Sequence, residues 1–301
     1  MRKQTTDRPM MVGVLILSAV LASACGGGDP AAQGPRAGSA EWHWDGAVEN
    51  LNSADFSKAV EHLDEVASQE GPLAEKAVLW RTSTLVGLSR GYMEVIDALS
   101  DGVSENDARA ADYQNLMQQA NRSGRQAAIA LAESLGEVQK AAAGDSVMLD
   151  FPFPSGSGSE SNVMTAVASG DAVQAAQLSS AVEHTLRRGM IRAASELGGF
   201  DIDASNQAAA KFEAGAVSVA GDQFRQTMAK VLLDVSLMFS RERVNEPDVR
   251  KILIERAEQW AAPYAESEDE EAKAWAEEFA KEVEDEQRDM ERKARRLDKR
   301  S

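Results

Sequence analysis

Apolar residues along this chain recur every three or four positions, and no stretch sustains an alternation of period two. That spacing puts apolar side chains on one face of a helix and leaves none for the two-faced pleat of a strand, so it predicts helix throughout. With 43% apolar residues but only 5% aromatics, the helices must pack largely through aliphatic and small side chains. Breaks in the pattern carry local stop signals. Asn52 to Asp55 reads as a turn, Gly71-Pro72 as a C-cap followed by an N1 proline, and Pro247 as the opening of a further helix.

The boundaries follow from these signals. Helices are predicted from Trp42 to Leu51, Phe56 to Ser68, Leu73 to Arg90 and Tyr92 to Leu99, with Asp101-Gly102 closing the fourth. Residues 144–162, with Phe151-Pro152-Phe153-Pro154 followed by a Gly/Ser run, exclude helix. Two readings of that stretch stand: a surface connection between two helical halves, or Phe151 and Phe153 as anchors for a partner or a groove. Beyond it, helices are predicted from Asp171 to Leu197, Ser205 to Ala220, Gln223 to Arg243 and Pro247 to Trp260, with Pro263 as terminator. In the Pro247 helix, Val249, Ile252, Leu253 and Ala257 are placed inward.

Residues 266–287 hold eleven acids and two bases, and 288–300 hold seven bases and three acids. Acids first and bases last suit a helix dipole. The apolar stripe there is thin, so this segment is expected to pack only through Trp275 to Val283 and to fray beyond.

Charge and composition exclude several activities. A net charge of −17 argues against nucleic acid as a partner. One cysteine makes no internal disulfide, and three histidines leave little room for a zinc site or His-based catalysis. No nucleophile elbow, phosphate-binding loop or His-Glu-x-x-His pattern is present. Asp201 and Asp203 have the spacing of a calcium loop's start, but Asn206 stands where an EF-hand needs glycine, so capping of the helix at Ser205 is the better reading. The expectation is a non-enzymatic chain with no cofactor and no metal.

The N-terminus carries an address. Arg2, Lys3 and Arg8 precede an apolar run from Met10 to Ala22, too short to span a bilayer comfortably. Leu21-Ala22-Ser23-Ala24-Cys25 resembles a bacterial lipoprotein lipobox, departing from it where Ala22 replaces the usual leucine. The resemblance implies that residues 1–24 are a signal peptide and that Cys25 becomes the lipidated first residue. Residues 25–40, opening Gly26-Gly27-Gly28, then read as a flexible tether. Gly26 after the cysteine resembles lipoproteins sorted to an outer membrane and facing the periplasm; in a one-membrane cell the anchor would lie in the plasma membrane. Without residues 1–24 the net charge is −19, so an anchor, and not surface charge, would hold the chain at an anionic bilayer.

Within residues 41–143 an offset of 36 recurs: Trp44 maps onto Trp80, Phe56 onto Tyr92, Val60 onto Ile96 and Leu63 onto Leu99. Two helices per unit with an aromatic in each, and the run Ala54-Asp55-Phe56-Ser57-Lys58-Ala59, are similar to tetratricopeptide repeats. An ordinary antiparallel bundle with the same spacing is the other reading. The expected fold is therefore all-α: antiparallel helix pairs, tetratricopeptide-like in the N-terminal half, then a helical bundle over 163–265 and a charged helix over 266–301. The repeat resemblance implies a groove near Trp44, Trp80 and Tyr92 that holds a protein or peptide, as a scaffold or adaptor would. A small-ligand accessory of an envelope transport system is the alternative.

Overall fold

A computed structural model describes residues 34–105, 109–151, 175–201, 205–240, 244 and 246–298. The fold is all-α. Helices α1 (Ala40–Asn52) and α2 (Phe56–Ala67) form a hairpin, followed by α3 (Pro72–Glu105) and α4 (Ala110–Ala141). Strand β1 (Ser146–Leu149) precedes α5 (Ala175–Leu197) and α6 (Ser205–Ala214). Strand β2 (Val217–Ala220) leads into α7 (Gly221–Met238), α8 (Pro247–Ala265) and α9 (Glu270–Asp298).

Local chemistry sets the first boundaries. The Ser39 hydroxyl accepts from the Trp42 amide at 3.2 Å, capping α1. Asp55 caps α2 through the Lys58 amide, and Ala54 between them takes a positive φ of 62° to reverse the chain. On α2 the buried side is Phe56, Ala59, Leu63 and Val66, the spacing of a single helical stripe.

The centre of the fold is α3, which packs most extensively on α4 and α5 and also touches α1, α2 and α7. It runs unbroken for 34 residues through Arg90 and Gly102. This corrects the sequence reading, which ended one helix at Arg90, began another at Tyr92 and closed it at Gly102. Gly91 looks like a stop in sequence because glycine weakens helices. In the fold it is buried against Leu186 of α5, where an added Cβ would stand 3.1 Å from the Leu186 Cα.

Two further glycines make the same crossing closer still. A Cβ at Gly87 would lie 2.3 Å from the Met190 Cα, and one at Gly189 would lie 2.4 Å from the Gly87 carbonyl oxygen. The α3 and α5 backbones therefore meet directly, without intervening side chains.

The structure adds a two-stranded antiparallel sheet, pairing Ser146 with Ala220 through Leu149 with Val217. β1 falls in the stretch read as a loop, and β2 replaces the end of the helix expected to reach Ala220. The Gly221 amide donates to the Asp145 carbonyl at 2.8 Å, so α7 starts directly from the pairing. The Arg225 guanidinium reaches the Ala142 carbonyl at the end of α4 and bonds Asp222 at 2.8 Å and the Tyr264 hydroxyl at 3.1 Å. Helix α8 continues past Pro263 to Ala265, and Ile252, placed inward from the sequence, faces solvent.

Helix α9 is held along more of its length than its charge suggests. Trp275 stacks on Phe279 at 5.3 Å, and Phe279 and Val283 are buried. Beyond them, fully buried Arg250 of α8 donates to Glu286 at 2.8 Å and pairs with Asp289 at 3.5 Å. Lys293 donates to the Ser240 carbonyl at 3.0 Å. The expectation of packing only as far as Val283 is thus overturned by polar anchors that reach Lys293, nearly three turns further on. Hydrogen bonding from Lys293, then its charge and that of Arg250, holds the Asp289 carboxyl below its usual range. That contribution is present above the ordinary carboxylate pKa and disappears as pH falls through the lowered value.

Three substitutions test this packing. Gly87→Ala should lower stability by about 3 kcal/mol or more, since no rotamer relieves a clash between backbones. Exposed Gly136, around which a Cβ meets nothing within 4 Å, should instead gain about 0.5–1 kcal/mol on substitution by Ala. Thermal denaturation read by circular dichroism measures both. Arg250→Met should cost about 3 kcal/mol and speed amide exchange in residues 284–298 while leaving α7 protected, as read by hydrogen exchange.

Candidate functional site

A cleft with a volume of about 610 Å³ opens between α3, α5 and α7. It adjoins the glycine crossing, and Gly91 and Gly189 form part of its wall. Helix α3 contributes Arg90, Met93, Glu94 and Asp97, each about a turn apart or adjacent on one side. Helix α5 adds Arg192, and α7 adds Asp234, Leu237 and Met238.

Arg90 ties the three helices together, donating to Glu196 of α5 and, at 3.3 Å, to Asp234 of α7. Glu94 accepts from Arg188 and lies 3.9 Å from Arg192. These bonds fix the charges in place before anything binds. Although the Asp234 side chain is 53% exposed, the surrounding helices strip enough solvent to raise its pKa. Arg90 opposes that rise, Glu196 and Glu282 add to it by repulsion, and Lys230 opposes it. Asp234 thus stands at the rim of the cleft, bonded to Arg90, beside the apolar side chains of Met238 and Leu237, the last 37% exposed.

The aromatic residues singled out from the sequence sit elsewhere. Trp44 and Trp80 do meet, with ring centroids 4.2 Å apart, and Phe151 meets Trp80 edge-on at 5.8 Å. Trp80 is 4% exposed and Phe151 3%, so both belong to the core. The Trp80 indole N–H donates to the Asp150 carbonyl, and Lys76 bridges by lying 4.8 Å over Trp44 while bonding Asp150 at 2.6 Å. Phe151 thus closes the fold over Trp80.

Tyr92 is not part of that cluster. Because α3 is continuous, it stands twelve residues, roughly 18 Å, further along the axis. There it packs on Gly124 of α4, half-buried, with its hydroxyl bonded to Ser123 and its pKa raised by burial. Phe153 and Cys25 lie outside the described residues.

Sequence reasoning missed the cleft because its walls come from three helices about a hundred residues and forty residues apart. One signal was available: Gly87-x-x-x-Gly91 places two glycines on one helix face, the pattern of close helix approach. No helix among the described residues is long and apolar enough to cross a membrane, and none of their His, Cys, Asp and Glu side chains gather in threes as a metal cage would. No family model matches the chain, and neither the curated proteins nor the solved structures contain a match to it.

The raised pKa of Asp234 gives a signed expectation. A carboxyl whose folded pKa lies above its unfolded one favours folding at low pH and loses that contribution as pH rises through the folded value. Asp234→Asn should therefore melt at or above the wild-type temperature at pH 7, with the difference vanishing in acid. Melting curves across pH decide it, and a variant less stable at pH 7 would show that the Arg90 bond outweighs desolvation.

Proposed function

We propose that this chain is a lipid-anchored, non-catalytic adaptor of a bacterial cell envelope, and that it holds a polypeptide partner in the cleft between α3, α5 and α7. The anchor rests on the lipobox-like run ending at Cys25 and the glycine-rich stretch after it. In a two-membrane cell the protein would face the periplasm from the outer membrane; in a one-membrane cell it would sit on the plasma membrane.

The lining of the cleft carries the binding assignment. Five of its eleven residues are Arg, Asp or Glu, and Arg90, Glu94, Arg192 and Asp234 of these stand in ion pairs beside an apolar surface. The cleft is an open groove that offers fixed charges beside an aliphatic contact, an arrangement that suits an extended segment with one charged and one apolar side chain. The segment that fits carries a basic residue opposite Asp234 and an aliphatic side chain against Leu237 and Met238. Nucleic acid is disfavoured by the charge of the chain.

A volume of about 610 Å³ also suits a small ligand, as an accessory protein of an envelope transport system would need. A cross-linking experiment separates the two. With a photo-reactive amino acid at Leu237, the polypeptide reading expects a band of higher mass from intact membranes, lost on adding Asp234→Arg. Cys25→Ser in the same strain should move both protein and adduct out of the membrane fraction. Irradiation that labels no polypeptide, in a protein with native helicity, would overturn the partner assignment. Membrane retention of the Cys25→Ser form would overturn the anchor.

A further inference from the structure

Two of the chain's three histidines meet in the α1–α2 hairpin. The Nδ1 atoms of His43 and His62 stand 3.0 Å apart, with one ring donating to the other according to tautomer. The ring centroids are 5.2 Å apart and the planes tilted by 56°. Trp42, 41% exposed, sets its ring edge-on to both, at 4.9 Å from His43 and 5.6 Å from His62.

The hairpin makes room for this pair at a cost. Gly46 stands in the middle of α1, where glycine weakens a helix by about 0.5–1 kcal/mol relative to alanine. A Cβ there would lie 2.8 Å from both Cε1 and Nε2 of His62. The His62 ring therefore rests on bare α1 backbone, one turn from His43, and only a glycine permits it.

We propose that His43 and His62 form a binding site for a divalent copper ion. Two imidazole nitrogens are good ligands for late first-row metals, and copper binds most tightly of that series. Nitrogen–metal bonds of about 2.0–2.1 Å meeting at the right angle of a tetragonal ion put the two nitrogens ~2.9 Å apart. The observed separation already matches that spacing, so the ion takes the place of the shared proton with little movement of either helix. Small torsions of both side chains turn the two lone pairs from each other toward the ion, while the donor ring gives its Nδ1 proton to water and takes one at Nε2. Water completes the coordination sphere, since no third His, Cys, Asp or Glu side chain joins the pair among the described residues. The assignment is independent of the cleft, which lies between other helices.

Trp42 supplies the readout, because a paramagnetic ion held by two rings whose centroids stand 4.9 and 5.6 Å from its own quenches its emission. The full-length chain carrying Cys25→Ser removes the competing thiol, and all variants share that background so that copper held by the amino terminus cancels. Titration with copper sulfate should quench fluorescence in a step of one ion per chain. His43→Gln and His62→Gln should each abolish the step, while His184→Gln keeps it. Electron paramagnetic resonance of the copper-loaded protein, which requires no histidine variant, should show two coordinated imidazole nitrogens. A quenching step that survives either substitution, a titration without the step, or a spectrum with fewer than two imidazoles would overturn the proposal.

Discussion

The fold depends on the direct contact of two helix backbones. Where α3 crosses α5, Gly87 and Gly189 leave no side chains between them, and the axes approach more closely than any Cβ would allow. Dispersion contacts are maximal in such a crossing because backbone atoms of both helices lie at contact distance along a whole turn. Everything else is arranged around this line. Helix α4 covers a neighbouring face of α3, again with a glycine, Gly124, admitting Tyr92 and Met93. Helix α7 flanks both members of the crossing, and the space it leaves is the cleft.

Arginines do the work that large aromatics do in other cores. Arg81 joins α3 to α2 and α4 through Asp64 and Glu137, and Arg90 joins α3 to α5 and α7. Arg187, lying against Phe56, donates to the Asn52 carbonyl at 2.6 Å and so satisfies the end of α1 from another helix. Arg250 fastens α9. A long aliphatic stem packs while the planar head reaches two partners, which suits an interior with few aromatics. Such pairs add little net stability when formed but are costly to break, so they specify which helices neighbour which more than they tighten the core.

Helix content, the turn between the first two helices and most of the inward stripe were legible because each depends on residues within a turn or two. Asp55 and Pro247 stand at the starts of their own helices, and Phe224, Met228, Val231 and Val235 repeat at helical spacing, whereas Ser39, read as tether, caps α1. What was not legible depends on residues far apart. Gly91 reads as a boundary unless Leu186 is known to lie against it. The strand pair has four residues on each side, too few for an alternation to register, and its partners stand some seventy residues apart. The positions of Trp80 and Phe151 in the core, and not on a binding face, follow from Asp150 arriving beneath the indole. Arg90, Arg192 and Asp234 share no sequence spacing, so the cleft has no motif. The meeting of His43 with His62 has none either, being set by how the hairpin closes.

The glycine crossing also dictates an order of events. A ribosome delivers α3 long before Met190, with the whole of α4 and the 144–162 stretch emerging between them. Through that interval the seam on α3 has no mate, and a strip of bare backbone flanked by Leu85, Val86 and Leu88 stays open to water and to other chains. Any product cut short before α5 keeps that wound permanently. The nascent chain is therefore most vulnerable to aggregation in the middle of its synthesis, and a holding factor that covers α3 would matter more to its yield than one that assists either end.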